Sequence, residues 1–166
     1  MKKILFVCHG NICRSPMVEY LFKKMVSDNK TEDIFEISSA ATSTEEIGNG
    51  VYYGARKILD KYKIDYKNHH AKQIDKKMYD YYDLIIIMDH NNYYNLIRMF
   101  GNEIRNKTHL LLEYAGLNRD ISDPWYTDDF ETCYDDIMLG LNGLYKYLMN
   151  GRWLWNLSNV LKAILY

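Results

Sequence analysis

Apolar positions along the 166-residue chain alternate between short unbroken runs and helical stripes. Ile4-Leu5-Phe6-Val7 is such a run, β-prone throughout, as a strand buried on both faces requires. Met17, Val18, Leu21, Phe22 and Met25 then recur at helical spacing until the polar Ser27-Asp28-Asn29-Lys30 ends the stripe. The pattern next predicts a strand over 34–38, a polar glycine-bearing loop over 39–50, and a helix marked by Val51, Ala55, Ile58, Leu59 and Tyr62. After a polar stretch, Leu84-Ile85-Ile86-Ile87-Met88 is the clearest buried strand. Asp89 is placed to cap a following helix with Tyr93, Leu96, Ile97 and Phe100 on its apolar face. His109-Leu110-Leu111-Leu112 reads as the fourth strand, and Phe130, Cys133, Ile137, Leu141, Leu144 and Leu148 form the stripe of a long final helix. Strands alternating with helices, each connection long enough for a crossover, predict an α/β protein with a parallel, doubly wound sheet.

Composition sharpens this picture at a few points. With 48% hydrophobic and 26% charged residues the chain is an ordinary globular one, and its length suits one domain. A net charge of −1 gives no reason to expect nucleic acid as a partner, so any affinity for phosphate must be local. No apolar run approaches the roughly 18 residues of a membrane span. Three cysteines without a cationic leader point to a reducing cytoplasm. Past the main domain, residues 1–150, lies an amphipathic extension, 151–166. Its apolar face is Trp153, Leu154, Leu157, Val160, Leu161, Ile164 and Leu165, suited to packing back on the domain, to a second copy, or to a membrane surface.

The chemistry concentrates between the first strand and the first helix, in Cys8-His9-Gly10-Asn11-Ile12-Cys13-Arg14-Ser15-Pro16. Ser15 reads as the N-cap and Pro16 as the first helical residue. A loop there points backbone N–H groups and the positive end of a helix at one spot, a natural phosphate site. That field favours a thiolate at Cys8, an effective nucleophile. Arg14 supplies a planar fork for two phosphoryl oxygens, Ser15 a hydroxyl for the thiolate, and Asn11 a side chain that tolerates left-handed backbone. Taken singly, a strand-end cysteine is more often a small buried hydrophobe, and Cys133 on its helical stripe is read that way. No cysteine or histidine group has zinc-like spacing, so neither metal nor cofactor is expected.

Cys8 to Pro16 resembles the signature of the low-molecular-weight protein tyrosine phosphatases, Cys-x-Gly-Asn-x-Cys-Arg-Ser-Pro. Similarity continues through Ser39-Ala40-Ala41-Thr42-Ser43, Glu46-Ile47-Gly48-Asn49, His69-x-Ala71-Lys72-Gln73, Met88-Asp89 and Asp123-Pro124-Trp125-Tyr126, ending near Asn150. The resemblance implies a three-layer α/β/α domain with four parallel strands in the order 2-1-3-4, and metal-independent hydrolysis of phosphotyrosine through a cysteinyl phosphate. It implies Cys8 as nucleophile, Arg14 as phosphoryl ligand, Asp123 as general acid and then base, and Ser15 as the thiolate's hydrogen-bond donor. His9, Gly10, Asn11, Ile12, Cys13, Trp125, Tyr126 and Glu45 would contact substrate, Ser39 and His69 would support the loop, and Asp89 would meet the catalytic arginine. Asp128 falls near a family acid. Glu45 stands where relatives carry an aromatic residue, and an acid there would disfavour acidic peptides. Cys13 either fills space or forms a reversible disulfide with Cys8 that shelters the nucleophile. Partners would be phosphotyrosyl proteins, with the chain a monomer or weak dimer.

Three other functions compete. Arginine phosphatases of similar fold carry threonine where Ile12 stands. Thioredoxin-linked arsenate reductases need relay cysteines, and residues 75–95 contain none. An inactive phosphate-binding module would have no use for Cys8, Arg14, Ser15 and Asp123 together.

Overall fold

The computed structural model describes the backbone of residues 1–164 and the side-chain surroundings of residues 1–150. Its centre is a four-stranded parallel sheet, β1 (Lys2–Cys8), β2 (Phe35–Ala41), β3 (Leu84–Ile87) and β4 (Thr108–Leu110), in the order β2-β1-β3-β4. Cys8 pairs with Ala41 and Val7 with Ile87, so the ends of β2, β1 and β3 lie level at one end of the sheet. The apolar run of β1 serves both faces: Ile4, Phe6 and Cys8 belong to one core cluster, Leu5 and Val7 to the other.

On the first face pack α1 (Arg14–Asp28), α2 (Tyr53–Lys61) and α6 (Phe130–Ile164); on the second, α3 (Lys76–Tyr81) and α4 (His90–Phe100). The stripe Met17, Val18, Leu21, Phe22 is buried against the sheet, with Phe22 edge-on to Phe6 at 5.8 Å between ring centroids. Phe130, Cys133, Ile137, Leu141 and Leu144 are buried as their spacing predicts. Gly54 lets α2 meet the start of α6: a Cβ there would lie 2.2 Å from Cε2 of Phe130.

Several expectations change. Helix α1 begins at Arg14, with Cys13 in the N-cap position and no capping side chain. Ser15 is therefore inside the first turn, because its hydroxyl is engaged elsewhere. Pro16 is still tolerated, since the first four N–H groups of a helix have no intrahelical partner. The fourth strand stops at Leu110, and Leu111–Ala115 turns into a 3-10 helix under α6. The polar stretch before β3 contains α3, capped by Asp75 accepting from Met78 N. Helix α6 continues without a break to Ile164, and the expected apolar face of 151–166 lies outside the described residues. No helix among the described residues is long and apolar enough to cross a membrane.

Candidate active site

The carboxyl end of β1 is the switch point of the sheet, where the chain departs towards β2 on one side and β3 on the other. Open α/β sheets leave a crevice at such a place. Here it is a cleft of about 100 Å³ whose lining is of three kinds: the loop residues Cys8, His9, Gly10, Ile12, Cys13 and Arg14; Asp123 with the aromatic pair Trp125 and Tyr126; and the acidic pair Glu45 and Glu46. Asn11, expected to contact substrate, does not line it. It is fully buried behind the loop at φ 57°, the left-handed conformation its side chain helps it tolerate.

From that position Asn11 organises the loop. Its backbone N–H donates to Cys8 Sγ at 3.3 Å, and its Nδ2 donates to Ser15 Oγ at 2.8 Å and Ser39 Oγ at 2.9 Å. The direction of this chain follows from its far end. The carboxylate of buried Glu19 only accepts, so the Ser39 hydroxyl donates to it. Ser39 Oγ is then free to accept from Asn11. Ser15 Oγ accepts the other amide hydrogen, and its own hydrogen has two acceptors in reach, Cys8 Sγ at 3.0 Å and the Ala40 carbonyl at the longer distance of 3.5 Å; the closer sulfur is the better partner. Asn11 Oδ1 accepts from Lys72 N at 3.1 Å, and Nε2–H of His69 donates to the Asn11 carbonyl at 2.8 Å. Burial pushes the His69 pKa below its ordinary value, which suits a neutral ring in this role. The sulfur at the end of β1 thus has two hydrogen-bond donors aimed at it, the Asn11 N–H and the Ser15 hydroxyl. Among the described residues no side chain caps α1 and no acid sits in its first turn, so its positive end faces the loop unneutralised.

Arg14 is 2% exposed and held on three sides. Its Nη1 donates to Asp89 Oδ2 at 2.6 Å and to the Ile121 carbonyl at 3.0 Å; its Nη2 donates to Asp123 Oδ2 at 2.8 Å. Burial opposes the charge, but Cys8, Asp89 and Asp123 together outweigh it and leave the guanidinium pKa raised. Asp89 fills both expected roles, because its Oδ1 caps α4 by accepting from Asn92 N at 2.7 Å while Oδ2 holds the arginine. Asp123 sits at the N-cap of α5 (Pro124–Thr127), accepting from Trp125 N at 3.1 Å. Trp125 and Tyr126 stand out from this turn at 51% and 83% exposure.

Comparison with known proteins gives these residues a setting. Residues 3–152 match the family model for low molecular weight phosphotyrosine protein phosphatase. The chain is 42% identical over 141 residues to the enzyme of that name from Gallus gallus, spanning 81% of this chain and 88% of the relative. The chain belongs to this phosphatase family. It is also 31% identical over 150 residues to the low molecular weight protein-tyrosine-phosphatase PtpA of Staphylococcus aureus, covering 90% of this chain and 95% of that one. The crystal structure of the low molecular weight protein tyrosine phosphatase of Streptococcus pyogenes superposes with a TM-score of 0.82 at 40% identity, covering 93% and 97% of the two chains.

The other two cysteines of this phosphatase sit in different surroundings from the first. Burial, then the neighbouring Cys8, pushes the Cys13 thiol far above its usual range, and burial pushes Cys133 up to about 12, so both are held as thiols. All three cysteines are unbridged. His9 meets Glu45 at 3.1 Å on the rim, and His70 is exposed with Nδ1 3.2 Å from the Gly48 carbonyl. The last helix is capped by Asp129, which accepts from Thr132 N at 2.9 Å; Asp128 is left in the αL turn before it, at φ 56°. Among the described residues no group of histidine, cysteine, aspartate and glutamate is arranged to hold a metal ion.

Three parts of the site escaped the sequence. Glu19 and Lys23 read as an ordinary exposed i,i+4 pair. The Ile121 carbonyl carries no side-chain signal. Tyr52, adjoining Trp125, precedes α2 at a position that reads only as a helix start. Glu46, quoted above only as part of the family resemblance, also lines the cleft.

Proposed function

We propose that this phosphatase hydrolyses phosphotyrosine on proteins or peptides, with Cys8, Arg14 and Asp123 as its catalytic residues. The observation that carries the reading is their convergence in one cleft, where Arg14 bonds directly to Asp123 beside the Cys8 sulfur. Cys8 Sγ attacks phosphorus while the bond from phosphorus to the phenolic oxygen breaks, and the proton of Asp123 passes to that oxygen. Water then attacks the cysteinyl phosphate. The S–P bond breaks, Asp123 takes the proton from water, and the Cys8 sulfur leaves with the hydrogen bonds of Ser15 and Asn11 already in place.

Arg14, the loop N–H groups and the start of α1 hold the equatorial oxygens through both steps, and Asp89 fixes the arginine for that purpose. Without substrate, Asp123 occupies Arg14. An arriving phosphoryl dianion competes for the same guanidinium, which releases the Asp123 carboxylate; beside the dianion it takes up a proton from solvent and then donates that proton to the leaving oxygen. Trp125 and Tyr126 flank the aryl ring. Ile12 offers the cleft no hydroxyl, which favours phosphotyrosine over phosphoarginine. The three unbridged thiols suit a reducing cytoplasm, and we read the chain as a monomer or weak dimer acting on phosphotyrosyl proteins. Hydrolysis of matched phosphotyrosyl, phosphoseryl and phosphoarginyl peptides tests the reading. Preference for the phosphotyrosyl peptide is the expected result; equal or faster turnover of phosphoarginine overturns it.

A further inference from the structure

The segment bearing Asp123 is held at its ends, and between them only Pro124 is buried. At one end Ile121 N donates to the Met88 carbonyl at 2.9 Å, and at the other Phe130 is buried at the start of α6. Between these points Trp125 and Tyr126 are exposed, and Asp128 turns the chain in the αL conformation. The Arg14–Asp123 ion pair is its main tie to the loop bearing Cys8, and substrate phosphate competes for that arginine. Something else must keep Asp123 in register once the exchange has happened.

Tyr52 is placed to do this. Its backbone N–H donates to the Ile12 carbonyl at 2.8 Å, which fastens it to the phosphate loop, and its carbonyl accepts from Arg56 N at 2.9 Å as α2 begins. Its ring stacks on Phe130 with centroids 5.9 Å apart and planes 23° apart. On the other side it meets Trp125 edge to face at 5.0 Å and 60°. One residue therefore touches the fixed end of the acid segment, its exposed middle, and the loop that carries the nucleophile. The backbone N–H of Trp125 in turn donates to the Asp123 carboxylate.

We propose that Tyr52 is a positioning residue for the general acid: its ring, held between Phe130 and Trp125, ties the Asp123 segment to the phosphate loop while phosphate occupies Arg14. This rests on the phosphatase reading above, with Asp123 as proton donor. A strut of this kind matters most where the leaving oxygen most needs a proton, so its loss is graded by leaving group.

The test is kcat/KM over a series of aryl phosphates from p-nitrophenyl to phenyl and phosphotyrosine, with the pH profile at each end. Tyr52→Ala is expected to lose roughly tenfold on phenyl phosphate and phosphotyrosine, a fraction of the whole general-acid contribution, and clearly less on p-nitrophenyl phosphate. Tyr52→Phe, which keeps the ring, should match the wild type. In an Asp123→Ala background Tyr52→Ala should add no further loss. A uniform drop across the series, a change in KM alone, or a loss that persists without Asp123 overturns the proposal. Thermal melts accompany each variant, and Tyr52→Leu takes the place of the alanine variant if that one does not fold. Wild-type protein without activity on phosphotyrosine would overturn the function reading itself, and this inference with it.

Discussion

The loop after β1 and the loop before α6 meet at Arg14 and are held there by different means. In the first, Asn11, Arg14 and Ser15 are fully or almost fully buried, and their side chains are satisfied by Ser39, Asp89, Asp123 and one another. In the second, Pro124 is buried but Trp125 and Tyr126 are not, and Asp123 depends on one ion pair and one backbone N–H. A nucleophile and its anion site gain from having a single geometry, because reorganisation during the reaction is costly. A group that gives a proton in one step and takes it back in the next must change partners. On the proposed mechanism the contrast is that of a preorganised cradle and a lightly tethered acid.

The largest effect that would break this contrast concerns the sulfur. Cys8→Ser is expected to lower kcat on an aryl phosphate by roughly 10⁴-fold or more while phosphate still binds, as followed by calorimetry. Measurable turnover would mean that the cradle does not hold the nucleophile. Next, Asp123→Ala should cost about 10²- to 10³-fold on phosphotyrosine and make kcat/KM fall steeply as the leaving phenol becomes more basic. A flat dependence would take the acid role away from this loop.

Stability separates the two loops as well. Asn11→Ala removes the amide that bridges Ser15, Ser39 and Lys72 in a buried setting, and should destabilise by about 2–4 kcal/mol in urea unfolding. Trp125→Ala, half exposed, should cost under about 1 kcal/mol. Similar losses would show that the acid segment is as firmly built in as the cradle. The smallest effect is a pH slope. His69 is pushed below 6.5 by burial, so as pH falls the unfolded chain takes up its proton first. Its contribution is therefore complete above 6.5 and is lost as pH falls from there through the folded value. Unfolding curves of the wild type should show that slope, and His69→Gln should flatten it.

The same contrast explains what the chain disclosed in advance. Ile4 to Val7 and Leu84 to Met88 could only be buried strands, and Cys8 to Pro16 carried its chemistry in residue types at close spacing. What stayed hidden depended on tertiary partners. Ser15 has the look of a cap, yet its hydroxyl serves the sulfur. Leu110 to Leu112 are apolar whether they continue a strand or turn into a 3-10 helix, and burial alone does not separate the two. Helix α3 is six residues with only Tyr79 buried, too short for a stripe. Glu19 matches a solvated ion pair in sequence and becomes a buried acceptor only because Ser39 arrives from β2. Asp89 reads as a helix cap and, by the family resemblance, as a partner of the arginine, and its two oxygens do one each.

Gly54 carries a consequence for heredity. The space its missing Cβ leaves is filled by the ring of Phe130, which is the same ring that steadies Tyr52. Positions 52, 54 and 130 are therefore coupled in space: a side chain gained at 54 must push the ring of Phe130 aside. The tyrosine at 52 then keeps Trp125 on one side and loses its stacked neighbour on the other. Drift at a residue far in sequence from Asp123 could in this way retune how a phosphatase of this fold delivers its proton, with every catalytic side chain left as it was.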